Sequence, residues 1–131
     1  MKLMMEINVT LYPAETVEGE NERIVMIPFS AETHGELFSG RTQINGIDTQ
    51  HFFTDGSMSL SARYILHGTD KYGNKCRIFI ENNGSSPDNC IPSICTDSPS
   101  LIFPKSMMLS SNVEMCENGV IVRIFSQDDL M

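Results

Sequence analysis

Basic residues are scarce in this chain. Nine Lys and Arg stand against seventeen Asp and Glu, a formal net charge of −8. Such a surface repels phosphate backbones and anionic headgroups, so binding to nucleic acid or to an acidic membrane is not expected. Long apolar runs are absent too: nothing approaches the roughly 20 residues that a membrane-crossing helix needs. The opening Met1-Lys2-Leu3-Met4-Met5 runs at once into Glu6 and Asn8, unlike a secretory leader. A cytoplasmic protein with reduced thiols is the expectation, and Cys76, Cys90, Cys95 and Cys116 are read as free. The Cys90-x4-Cys95 spacing is too wide for a zinc knuckle or a redox pair. No H-x-H, H-E-x-x-H or G-x-S-x-G is present, so neither a zinc site nor a serine nucleophile is expected around His34, His51 and His67. No stretch reads as a convincing amphipathic helix; a single turn at Asp97-Ser98-Pro99-Ser100 is the best candidate.

What the chain does have is turns and alternation. Turn signals recur at Asn45-Gly46, Asp55-Gly56, Tyr72-Gly73-Asn74, Asn83-Gly84 and Asn118-Gly119, with strand-like segments between them. In the first, Leu3, Met5, Ile7, Val9 and Leu11 share one face. Arg23–Ile27 reads as a strand that ends, bulges or meets an edge at Pro28. Residues 33–43 read as another, bent at Gly35 and Gly40. The link 84–104, rich in proline, reads as a surface loop or lid. The 131 residues make one domain, spanning 1–131. Seven or eight strands with short links point to an all-β, antiparallel up-and-down barrel, lipocalin- or streptavidin-like in shape.

The centre of the chain allows strands to be paired residue by residue. Asp55-Gly56 closed as a two-residue turn sets Phe53 against Met58, His51 against Leu60 and Asp48 against Arg63. A five-residue loop at Asp70–Asn74 sets Leu66 against Ile78, Tyr64 against Ile80 and Arg63 against Glu81. One face then carries Met58, Leu60, Ala62, Tyr64, Leu66, Cys76, Ile78 and Ile80. The other carries Asp48, Gln50, Arg63, His67, Arg77 and Glu81 among Phe52, Ile65 and Phe79. Near the end, Asn118-Gly119 closed as a two-residue turn pairs Glu114 with Arg123.

The segment from Gly40 to Gly84 also carries a likeness. Its Gly46-Ile47-Asp48 step, Asp55-Gly56 turn, Ala62-Arg63-Tyr64 step and Glu81-Asn82-Asn83-Gly84 ending resemble a family catalogued as domain of unknown function 3237, or UPF0311. The resemblance implies a small antiparallel β-barrel and little chemistry. Many relatives have Trp after the aspartate, where this chain has Thr49 and no Trp at all. Near the C-terminus, Ser100-Leu101-Ile102-Phe103-Pro104 replaces a more aromatic segment.

Two functions follow from the pairing. If the polar face lines the barrel, Asp48, Arg63 and Glu81 form one row, in which a guanidinium is flanked by two carboxylates. Arg63, Phe52, Ile65 and Phe79 would then bind a small, partly apolar molecule bearing a carboxylate or carbonyl. Asp48 or Glu81 would serve as a proton-transfer base, as in an isomerase or cyclase that needs no cofactor. The alternative is a structural or interaction module that self-associates through an apolar strand face and has no interior site. In either case a homodimer is expected, since a barrel can bury only one of two apolar-rich faces.

Overall fold

The computed structural model describes residues 1–104 and 107–127. It is all-β, and no helix occurs among these residues. Ten strands follow in chain order: β1 (Lys2–Leu11), β2 (Glu15–Glu18), β3 (Glu22–His34), β4 (Phe38–Thr42), β5 (Gly46–Phe53), β6 (Met58–Asp70), β7 (Lys75–Gly84), β8 (Cys90–Thr96), β9 (Leu109–Cys116) and β10 (Gly119–Ser126). Every pairing is antiparallel. The order around the sheet is β8-β7-β6-β4-β3-β1-β10-β9, with β5 between β3 and β6 and with β2 on β3.

This is an up-and-down barrel of eight staves. β4 and β5 are two halves of a single stave, both lying between β3 and β6. Between them, residues 43–45 leave the ladder, and the register advances by two against both neighbours. β1 and β2 likewise share one edge of β3. Pro28 sits where that edge passes from β2 to β1, and its carbonyl accepts from the Tyr12 amide at 2.9 Å. The missing proline N–H is tolerated at this irregularity, so β3 runs straight through. The first and last strands, β1 and β10, pair along nearly their full length. Among the described residues only β8 and β9 meet without a ladder; there Ser111 Oγ donates to the Cys90 carbonyl at 3.4 Å across the seam and accepts from Asn82 Nδ2 of β7 at 3.1 Å.

Alternation sorts the faces. Along β7, Cys76, Ile78 and Ile80 are buried while Arg77 is exposed and Glu81 half-buried. On β1, Met5, Ile7 and Val9 are buried, but Leu3 is not, because a bulge between Leu3 and Met5 moves it out of phase. The core of Ile7, Phe29, Phe38, Leu66, Ile78, Ile80 and Ile124 fills the barrel from its middle to one end. That end is strapped by residues 97–101. The Asp70 carboxylate accepts there from Ser98 Oγ and Ser100 Oγ, each at 2.7 Å, and Leu101 is buried beside it.

Several expectations are corrected. The link 84–104 is not a plain loop, since β8 lies within it and pairs with β7. The segment 97–100 is a bend and not a helical turn. Residues 33 and 34 end β3 instead of starting the next strand, because the chain turns at Gly35, whose amide donates to the Phe38 carbonyl at 3.1 Å. The β9–β10 turn is Glu117-Asn118, with Cys116 opposite Gly119, two positions from the expected pairing. A shift of two keeps every side chain on its face. Arg123 therefore still reaches Glu114, at 2.6 Å, and also Glu6, at 2.9 Å.

The register of β5 against β6 is the consequential correction. The turn holds three residues, Thr54-Asp55-Gly56, with the Phe53 amide donating to the Ser57 carbonyl at 2.9 Å. Gly56 has φ +90°, whereas Asp55 does not adopt positive φ, so a two-residue turn needing it at both positions cannot form. Asp55 Oδ1 instead accepts from the Ser57 amide at 2.8 Å and hydroxyl at 2.6 Å. Asp48 consequently faces Ala62, and Arg63 faces Ile47. The β6–β7 pairing is as expected, with Arg63 opposite Glu81 and Tyr64 opposite Ile80.

Candidate functional site

The one-residue difference takes the expected row apart. Asp48 points inward, on the face of Ala62, and Arg63 points outward. Arg63 Nε meets Glu81 at 2.6 Å on the barrel's outer surface, with the arginine side chain 65% exposed. The predicted ligand residues Ile65 and Phe79 face each other on that same outer surface. Phe52 follows Asp48 to the inner side, but its ring lies under the Arg23 guanidinium, 4.8 Å from the centroid, and does not line the chamber described below. Of the six predicted site residues, only Asp48 reaches the interior space. His51 also turns outward, opposite Ser59, and pairs with Glu22 at 3.3 Å.

That space is a cavity of about 340 Å³ at the end of the barrel opposite the strap. Its walls are Val9, Leu11, Ile27, Phe29, Leu60, Ala62, Tyr64, Val113, Met115, Val120 and Val122, with Pro87 and Cys90 on one side. Asp48, Gln50 and Asn82 add polar groups, and Asp48 is the one charged residue among the described residues of the lining. Eight-stave barrels have room inside for a single small ligand, and this volume lies in the ordinary range for such sites. Leu11, Val113 and Met115 are exposed in part and form an apolar rim.

The strands dictate these positions. Asp48 and Gln50 are two apart on β5 and so share a face, and Gln50 Nε2 donates to Asp48 Oδ2 at 3.0 Å. Burial pushes the Asp48 carboxyl above its ordinary pKa, and the Gln50 hydrogen bond offsets part of the rise. Tyr64 packs edge-on against Phe29, with centroids 5.2 Å apart, and burial raises its phenol strongly. The Cys90 thiol is also raised, first by burial and then by the charges of Asp48 and Asp88. Among the described residues no group of three His, Cys, Asp or Glu could hold a metal ion, and all four cysteines are free.

Chemically, the chamber offers one partly desolvated carboxylate, a neighbouring amide and aromatic walls. A buried carboxyl with a raised pKa is the kind of group that serves in proton transfer. The sequence reading had Asp48 and Gln50 on one face, but put them with Arg63 and not with Leu60, Ala62 and Tyr64. Asn82 and Cys90 were missed as lining residues. The strict alternation of β7 marks Asn82 as inward; Cys90 lies in β8, which was not recognised as a strand.

The shape of this barrel is shared with solved proteins. A Clostridium acetobutylicum protein of unknown function superposes with a TM-score of 0.78 at 23% identity, covering 97% of this chain and 98% of that one. One from Rhodopseudomonas palustris, also of unknown function, gives 0.73 at 17% identity, covering 95% of each. A β-barrel-like protein from Acinetobacter baumannii gives 0.68 at 18%, covering 95% and 93%. In sequence, a UPF0311 protein of C. acetobutylicum is 34% identical over 82 residues, 61% of this chain and 48% of that protein. The likeness is to the UPF0311 family of small β-barrels. This chain spans about half the length of the UPF0311 relative it matches, and no family model matches it. The UPF0311-like barrel is thus supported in fold, while the chemistry of its chamber has to be read from the residues.

Proposed function

We propose that this barrel binds a small, mainly apolar molecule in its interior chamber, with the ligand's polar group turned toward Asp48 and Gln50. The observation that carries this reading is the cavity itself. It is enclosed by the barrel wall, apolar over most of its lining, and supplied with a few convergent polar groups. The expected anchor, Arg63, is outside, so recognition falls to Asp48. Thermal-shift and NMR screening of small amphiphiles is the test. Hits should disappear in Ala62→Phe, which fills the chamber, while the variant stays folded. A parent protein that no compound stabilises, or hits that survive Ala62→Phe, would reject the reading.

A second reading, self-association, is favoured by one observation. Ile65, Phe79 and Cys95 stand in register across β6, β7 and β8 on the outer surface, between the ion pairs Arg63–Glu81 and Arg77–Asp97. A second copy turned by a two-fold axis would set apolar row on apolar row and one ion pair near the other. Light scattering should then give a dimer mass that Ile65→Lys reduces to that of a monomer. A monomer mass for the parent at all concentrations rejects this.

A further inference from the structure

Resting on the interior-binding reading, we propose that the chamber is selective for amines: its ligand is a small apolar molecule with a protonated amino group. Three features of the lining and one of the whole chain lead there. First, among the described residues Asp48 is the only charged one in the lining, and no described Lys, Arg or His shares the space to balance it. Second, its carboxylate is half satisfied: Oδ2 takes the Gln50 amide, and no other hydrogen bond to Asp48 occurs among the described residues. A partly desolvated carboxylate left without a counter-charge is costly, and a ligand ammonium supplies both the charge and the missing donors. Third, Phe29 and Tyr64 present aromatic rings to the same space, which favours a cation and not an anion. Fourth, the whole chain carries a net charge of −8, so its overall field attracts cations and repels acids.

The arrangement reverses the specificity expected from an inward arginine. A carboxylate ligand would meet a second carboxylate in a space with no cation. A neutral alcohol could donate to Asp48 but would leave its charge unbalanced. The order of affinity should be amine, then alcohol, then carboxylate.

The test uses three probes of one size and shape: cyclohexylmethylamine, cyclohexylmethanol and cyclohexanecarboxylate. Binding to the full chain is followed by calorimetry and by NMR shifts of chamber residues at neutral pH. The amine should bind about tenfold or more tightly than the alcohol, with the carboxylate weakest. Asp48→Asn, which keeps the shape of the side chain, should bring the amine down to the level of the alcohol. The rank order on the parent decides the matter even if that variant folds poorly. An alcohol or acid that matches the amine overturns amine selectivity while leaving interior binding intact, as does an amine advantage that survives Asp48→Asn. Failure of all three probes to perturb chamber residues overturns the interior-binding reading along with it.

Discussion

Asp48 and Arg63 show how much one side chain's surroundings decide. Burial raises the Asp48 carboxyl, so the folded protein keeps that proton over a pH range in which the unfolded chain has released it. The folded state then binds more protons than the unfolded one, and stability falls as pH rises from the ordinary carboxylate range through the folded pKa. Asp48→Asn removes this fall. Urea midpoints of parent and variant should agree below about pH 4 and separate above it, with the variant the more stable. Asp70 behaves in the opposite way. Burial alone would raise it, but the hydroxyls of Ser100 and Ser98 and the amides of Asn74 and Tyr72 outweigh that and hold its carboxyl far below the usual range. Its contribution is present at neutral pH and is lost as acid protonates the folded state. Asp70→Ala should therefore lower the melting temperature at pH 7 and flatten the acid side of the stability curve. Arg63, as a surface ion-pair member, is expendable: Arg63→Leu should cost less than about 1 kcal/mol in urea unfolding. A buried row of three charges would have cost several times more.

At the level of the strands, three hairpins could be paired from the sequence, and one of them has the register expected. The β6–β7 hairpin was read to the residue because the five-residue loop and the alternation of Tyr64, Leu66, Ile78 and Ile80 agree with each other. In β5 no such agreement exists: Ile47, Thr49, His51 and Phe53 are no more polar than Asp48, Gln50 and Phe52. Its register rested on the Asp55-Gly56 turn alone, and a three-residue loop in place of a two-residue one exchanged its faces. At Gly119 the reason for glycine also lies outside the turn. A Cβ there would stand 1.8 Å from the Val9 carbonyl oxygen, so the residue lets β10 close onto β1. Gly119→Ala should cost roughly 1–3 kcal/mol or more, through strain at that closure. Gly56→Ala should cost less, since its burden is a positive φ in open space. Chemical denaturation of the two variants checks the order.

Over the whole molecule, the two ends of the barrel differ. One is packed solid by Phe38, Leu66, Ile78 and Ile124 and strapped through Asp70; the other holds the chamber under an apolar rim. The staves also differ, because β8 and β9 meet without backbone hydrogen bonds. Hydrogen exchange should therefore be fastest at β8 and β9 along that seam and slowest in β6 and β7. A ligand in the chamber should slow the seam more than the packed end, since Cys90, Val113 and Met115 line both. Uniform protection around the barrel would contradict this.

The sequence by itself determined that the chain is all-β, that its strands meander in order, and which face of β6 and β7 is apolar. Those properties follow from alternation and turn chemistry, which are local. Only the tertiary structure decided that the apolar face is the inner one, that 84–104 contributes a stave, and that Asp48 enters the chamber while Arg63 leaves it. These depend on closure. Whether a half-apolar strand faces in or out is set by which of its neighbours it must pack against once the sheet curls, and a single residue in one loop was enough to move a carboxylate from the surface row to the interior.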